Sequence, residues 1–151
     1  MFAIALASVM PGFAQVEKAA MRTTGISCGT CAAVSEIYLR QLGGIDKISI
    51  SMSKEAIMVS YKPGAAFQPK AIREALKKTD VGIVQLQISA RGRIQEQSGK
   101  RFFLAGMDKF AVTASPDSLQ LPVGMPIVVE GILNDQAMPM ELKILTFKPV
   151  K

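Results

Sequence analysis

Over roughly its first ninety residues the chain alternates strand-like and helix-like apolar spacing, and that order limits the folds open to it. Glu17 to Ile26 is an extended stretch. In residues 32–42, Val34, Ile37, Tyr38 and Leu42 fall at helical spacing, and Gly43-Gly44 stops the run. Ile48, Ile50 and Met52 then alternate with polar residues, as in a half-buried strand. Ser53-Lys54-Glu55 turns the chain into a partner strand, Ala56–Tyr61, which Lys62-Pro63-Gly64 ends. Pro69 takes the first-turn position of a second helix, Lys70–Lys78, with Ile72, Ala75 and Leu76 as its apolar stripe. Ile83, Val84, Leu86 and Ile88 predict a last strand.

The order β-α-β-β-α-β is the ferredoxin-like split β-α-β arrangement, assigned to residues 15–91. At Arg91-Gly92-Arg93 the pattern changes, and residues 92–151 predict strands without a convincing helix. Gly92–Gln97 and Lys100–Leu104 flank the turn Ser98-Gly99. Lys109–Ala114 is followed by a turn at Ser115-Pro116-Asp117-Ser118. Pro126–Leu133 carries Gly131 as a bulge or bend, and Met140–Phe147 follows the turn Asn134-Asp135. Short strands at this spacing predict a small closed or partly open all-β barrel, OB-like by pattern alone. The fold class is therefore α+β, a ferredoxin-like domain followed by a small β-barrel domain to which the sequence assigns no role.

Residues 1–14 carry no charge and are too few to span a bilayer, and Pro11-Gly12 interrupts the apolar run. They resemble the end of a secretory signal, with small residues at Gly12 and Ala14 suited to cleavage after Ala14. No Lys or Arg precedes the apolar stretch. The expectation is a signal remnant, a periplasmic or secreted product, and no stable membrane insertion. In an oxidising compartment a free pair of nearby thiols tends to close into a disulfide unless a metal or a reductant holds it.

The chain has no His, no Trp and only two cysteines, Cys28 and Cys31. Without His there is no Ser–His or Cys–His nucleophile, no His-ligated zinc or haem, and no histidine pH switch. The two cysteines sit at the start of the first helix, where unpaired N–H groups and the partial positive charge favour thiolate over thiol. Gly25 and Gly29 let the backbone turn tightly there. Two sulfurs without His make a soft, low-coordinate site suited to Cu(I) or another thiophilic ion. A structural zinc would need further ligands that the chain lacks.

The loop Gly25-Ile26-Ser27-Cys28-Gly29-Thr30-Cys31 resembles the metal-binding loop of the heavy-metal-associated domain family. Leu39, Leu42, Gly44 and Ile45 resemble that family's first helix and its exit, and residues 48–63 its central hairpin. Ile72 to Leu76 is similar to its second helix, so the resemblance covers roughly residues 20–90. It implies a soft-metal carrier that binds Cu(I) or Hg(II) through Cys28 and Cys31 and hands the ion to a transporter or acceptor protein by ligand exchange. An exported single copy looks most like periplasmic mercuric-ion-binding proteins and copper carriers. Two positions depart from the pattern. Ile26 stands where the family has Met, a tolerable swap for a residue supporting the loop from the core. The segment Thr79-Asp80-Val81-Gly82-Ile83 lacks the aromatic or lysine side chain the family often places near the metal.

Other readings compete. The same Cys-x-x-Cys spacing occurs in thiol–disulfide oxidoreductases, but these need a different strand order and commonly a Trp before the first Cys. A purely structural disulfide would close too small a loop to contribute much. In a third reading the cysteines are idle and the barrel is an interaction module. Residues 15–92 hold 11 Lys and Arg against 6 Asp and Glu, net +5, while residues 93–151 hold 7 against 6, net +1. Lys70, Arg73, Lys77 and Lys78 form a basic helix face, either merely solvated or a docking patch for an acidic partner. No basic-aromatic interleaving points to nucleic acid. Met107, Met125, Met138 and Met140 read as loop or core packing, with a second Cu(I) site as the alternative. The carboxylates suggest no acid–base pair and no phosphate loop appears, so the chain reads as a binding protein, not an enzyme.

Overall fold

The computed structural model describes residues 14–26, 28–113 and 120–150. The elements run β1 (Gln15–Thr24), α1 (Gly29–Arg40), β2 (Ile45–Ser51), β3 (Ala56–Tyr61), α2 (Pro69–Lys77) and β4 (Gly82–Gln97). They continue with β5 (Lys100–Ala105), β6 (Asp108–Val112), β7 (Ile127–Asn134) and β8 (Glu141–Pro149). The expected signal-like segment, apart from Ala14, and the turn at residues 115–118 lie outside the described residues, as does Ser27. Among the described residues no helix is long and apolar enough to cross a membrane.

β2, β3, β1 and β4 lie side by side in that order, all antiparallel, the ferredoxin-like arrangement with both helices as crossovers. The strands from β4 onward close on themselves. β4 pairs with β5, β5 with β6, β6 in parallel with β8, β8 with β7, and β7 returns to β4. This is a small five-stranded barrel whose return pairing abolishes an open edge. Gly131 lies at a register shift in β7 as expected, and a Cβ there would sit 2.5 Å from the Lys143 carbonyl oxygen.

The boundary expected between residues 91 and 92 falls inside a single strand. β4 pairs with β1 as far as Arg91 and with β5 from Arg93, so β5 takes over where β1 stops. Gly92 marks the handover: a Cβ there would overlap the Leu104 carbonyl and press on the Phe103 ring. A glycine that looks like a break in the sequence is here a point of close backbone approach within a strand. The core crosses the same line. Buried Ile57, Leu76 and Ile88 belong to one apolar cluster with Phe103, Phe110, Val129 and Ile144. Phe67, ahead of α2, stacks edge-on to Tyr61 at 6.0 Å and to Phe110 of the barrel at 6.4 Å.

Two local expectations change. α1 starts three residues earlier than its apolar spacing implied, because Cys28 caps it. Its buried face is Ser35 and Leu39, with Ala32 and Leu42 packed beside them, while Ile37 is 57% exposed. Ser35 can point inward because its hydroxyl is hydrogen-bonded with that of Thr79 at 2.8 Å. α2 behaves as read, with Pro69 in its first turn and Ile72, Ala75 and Leu76 buried.

Candidate functional site

Cys28 and Cys31 lie at the junction of β1 and α1, on the surface of the ferredoxin-like half. Cys28 has extended backbone angles and is the N-cap of α1, and its Sγ accepts the Cys31 backbone N–H at 3.0 Å. The Ala32 N–H donates to the Cys28 carbonyl at 3.0 Å, closing the first turn. No acidic residue stands in that turn to compete for the helix's positive end. The two sulfurs are joined as a disulfide, with Cα atoms 5.2 Å apart. Cys28 is exposed and Cys31 half-buried, so the sulfur pair is open to solvent and to another protein.

Two backbone features fix the loop. Ile26 is fully buried, so the residue in the family's Met position anchors the loop to the core. Gly25 has φ +88°, and a Cβ there would stand 2.7 Å from the Asp80 carbonyl oxygen. The turn after α2 thus runs against the loop, with Asp80 at φ +58° and Val81 buried behind it. Among the described residues no group of three or more His, Cys, Asp or Glu gathers where it could hold a metal.

The four basic residues of α2 separate. Lys70, Lys77 and Lys78 are exposed. Lys77 and Lys78 sit at the helix C-terminus, where positive charge is favoured, and the Lys78 ammonium stands 4.9 Å from the Tyr38 ring centre. Arg73 is not free for a partner. Its Nε and one terminal nitrogen donate to the two carboxylate oxygens of Asp135 at 2.6 and 2.7 Å. Asp135 strengthens the guanidinium's hold on its proton, raising the Arg73 pKa, chiefly through that hydrogen bond. Asp135 follows β7, so the pair ties α2 to the barrel; nothing in the spacing of residues 73 and 135 signalled it.

The methionines also differ from expectation. Met140 is half-buried against the core, but Met107 and Met138 are wholly exposed and Met125 is half-exposed. Turn geometry presents these side chains outward, so packing does not account for them.

No protein-family model matches the chain. In sequence it is 26% identical over 124 residues to a copper-transporting ATPase of Oryza sativa subsp. japonica. That match covers 82% of this chain and 12% of the ATPase, so the chain spans only a small part of that relative's length. Among solved structures, the N-terminal domain of a potential copper-translocating P-type ATPase from Bacillus subtilis has a TM-score of 0.41 and 26% identity, covering 46% of this chain and 85% of that one. The CopZ metallochaperone has a TM-score of 0.41 and 18% identity, covering 44% of this chain and 98% of that one. The Cys-x-x-Cys loop at the first helix and the strand order β2-β3-β1-β4 are what the resemblance to heavy-metal-associated domains implied, and the barrel continues from the same sheet.

Proposed function

We propose that this chain is a non-enzymatic carrier that binds a soft metal ion through Cys28 and Cys31 and hands it to a partner protein. The observation that carries the reading is the placement of both sulfurs, without competing carboxylate or imidazole, at an exposed helix N-terminus. Cu(I) is the first choice, since the sequence relative is a copper-transporting ATPase; Hg(II) asks for the same two sulfurs. Loading requires that the disulfide first be reduced by two equivalents of a small thiol, which attack in turn through a mixed disulfide and leave as their own disulfide. The ion then displaces both thiol protons and bridges the thiolates. An incoming thiolate of the acceptor adds to the ion, and Cys28 and Cys31 leave in turn, so no net redox change accompanies transfer.

Lys70, Lys77 and Lys78 form the remaining docking patch of this proposal, steering an acidic transporter domain rather than adding much affinity. Export, read from residues 1–14, would place the pair where it oxidises, and delivery would then depend on a reducing partner. Anaerobic Cu(I) titration against a chromophoric chelator tests the reading. The reduced chain is expected to take one equivalent from the chelator and a Cys28→Ser/Cys31→Ser variant none. Equal uptake by both contradicts it.

The exposed disulfide at a helix start favours one second reading, thiol–disulfide exchange. It predicts catalytic reduction of insulin by the dithiol form, with loss of turnover in the Cys28→Ser variant. Absence of turnover with intact copper uptake leaves the carrier reading alone.

A further inference from the structure

We propose that Met138 and Met140 form a second soft-ion site, a thioether site for a monovalent cation in the groove between α2 and the β7–β8 turn. The choice of a soft ion rests on the carrier reading above, and the residues are independent of it. Both methionines line one groove of about 750 Å³. Phe67 and Glu74 of α2 line it as well. Met138 is 98% exposed, so its sulfur is available to an ion rather than committed to the core. The turn that carries it is held in place, because Asp135, 4% exposed at its side chain, is clamped by Arg73.

Thioether sulfur is a soft donor suited to Cu(I) and its congener Ag(I). It has no proton to lose and forms no disulfide, so such a site differs from the cysteine pair in two ways. It binds with the disulfide closed, and its affinity does not follow thiol ionisation. Of the charged residues of α2 that line the groove, Glu74 is the carboxylate that can face a bound cation, and Lys70 is an exposed ammonium whose long side chain can turn to solvent. The ammonium of Lys109, which also lines the groove, stands 4.3 Å from the Phe102 ring centre and donates to Gln97 Oε1 at 3.2 Å. The site is also remote from the cysteines. The groove is lined by α2 only as far as Glu74, whereas the cysteine loop meets the turn at Asp80 beyond the helix end.

The test uses the full chain in its disulfide form with ¹³C-methyl methionine and Ag(I) nitrate in chloride-free buffer, at pH 5 and pH 7. The Met138 and Met140 methyl signals are expected to shift together, saturate at one equivalent and show the same affinity at both pH values. Met138→Leu/Met140→Leu should weaken Ag(I) binding by about tenfold or more. Shifts of Met52, Met58, Met107 and Met125 in parallel, without saturation, overturn the site, as does unchanged binding by the Leu variant. A Cys28→Ser/Cys31→Ser variant that keeps both shifts supports the site whether or not the cysteines carry copper. Loss of the shifts in that variant assigns the silver to cysteine sulfur and overturns it.

Discussion

Arg73 of α2 and Asp135 at the end of β7 hold each other through two parallel hydrogen bonds of 2.6 and 2.7 Å, and so join the ferredoxin-like half to the barrel. The partners are unequally buried: the Arg73 side chain is 30% exposed and that of Asp135 only 4%. Removing one partner of such a pair leaves the other to find water. Arg73→Ala should therefore cost about 2–4 kcal/mol, because it strands a nearly buried carboxylate. Asp135→Ala should cost less, because the guanidinium reaches solvent. Urea unfolding of both variants checks the order, and a reversed order contradicts the geometry.

Tyr61 presents a different imbalance. Its hydroxyl is buried with no hydrogen-bond partner among the described residues, and burial, aided by the nearby Asp108 charge, pushes its pKa well above the usual phenol value. A buried hydroxyl without a partner is destabilising relative to the same ring without it. Tyr61→Phe is expected to be neutral or to stabilise the fold by about 1 kcal/mol. A loss of more than about 1 kcal/mol would reveal a partner for that hydroxyl.

Asp108, at the start of β6, has its carboxyl pKa raised above 3.8 by burial. The folded state therefore holds this proton more tightly than the unfolded state does. Its contribution to stability is greatest below the unfolded value and is lost as pH rises through the folded one. Asp108→Asn should thus gain in melting temperature relative to the parent as pH increases from 3.5 to 7. A difference that shrinks over that interval contradicts the assignment.

Gly92 is predicted to be the least replaceable glycine of β4. The Leu104 carbonyl, part of the backbone of β5, cannot move aside for a Cβ. Gly92→Ala should cost about 3 kcal/mol or more and loosen both halves together. Gly43→Ala, where nothing stands within 4 Å of the added carbon, is the control. Hydrogen exchange in β1 and β5 reads the effect: protection lost in β5 alone would mean that the halves unfold independently.

Much of this was legible in the chain. Alternation of Ile48 and Ile50 with polar residues located β2, and Pro69 with Ile72, Ala75 and Leu76 located α2 and its buried stripe. Gly131 announced the bulge in β7. What escaped shares one cause, dependence on partners distant in sequence. Ile37 lost its place in the core to Ser35, whose hydroxyl finds Thr79 forty-four residues later. Gly92 between two arginines reads as a break until β5 is brought across it. Arg73 reads as one more solvated cation until Asp135 arrives from the barrel. The cysteine loop was legible because its chemistry is local, although its spacing could not say whether the sulfurs are joined.

Sulfur ligation at that loop is the central claim, and X-ray absorption at the copper edge tests it most directly. In a Met138→Leu/Met140→Leu background, which removes the thioether donors, the reduced chain loaded with one equivalent of Cu(I) should show a copper ion with sulfur neighbours only, and adding Cys28→Ser/Cys31→Ser should abolish that signature. Nitrogen or oxygen ligation in the parent, or the same spectrum in the variant, would contradict the assignment of the ion to Cys28 and Cys31.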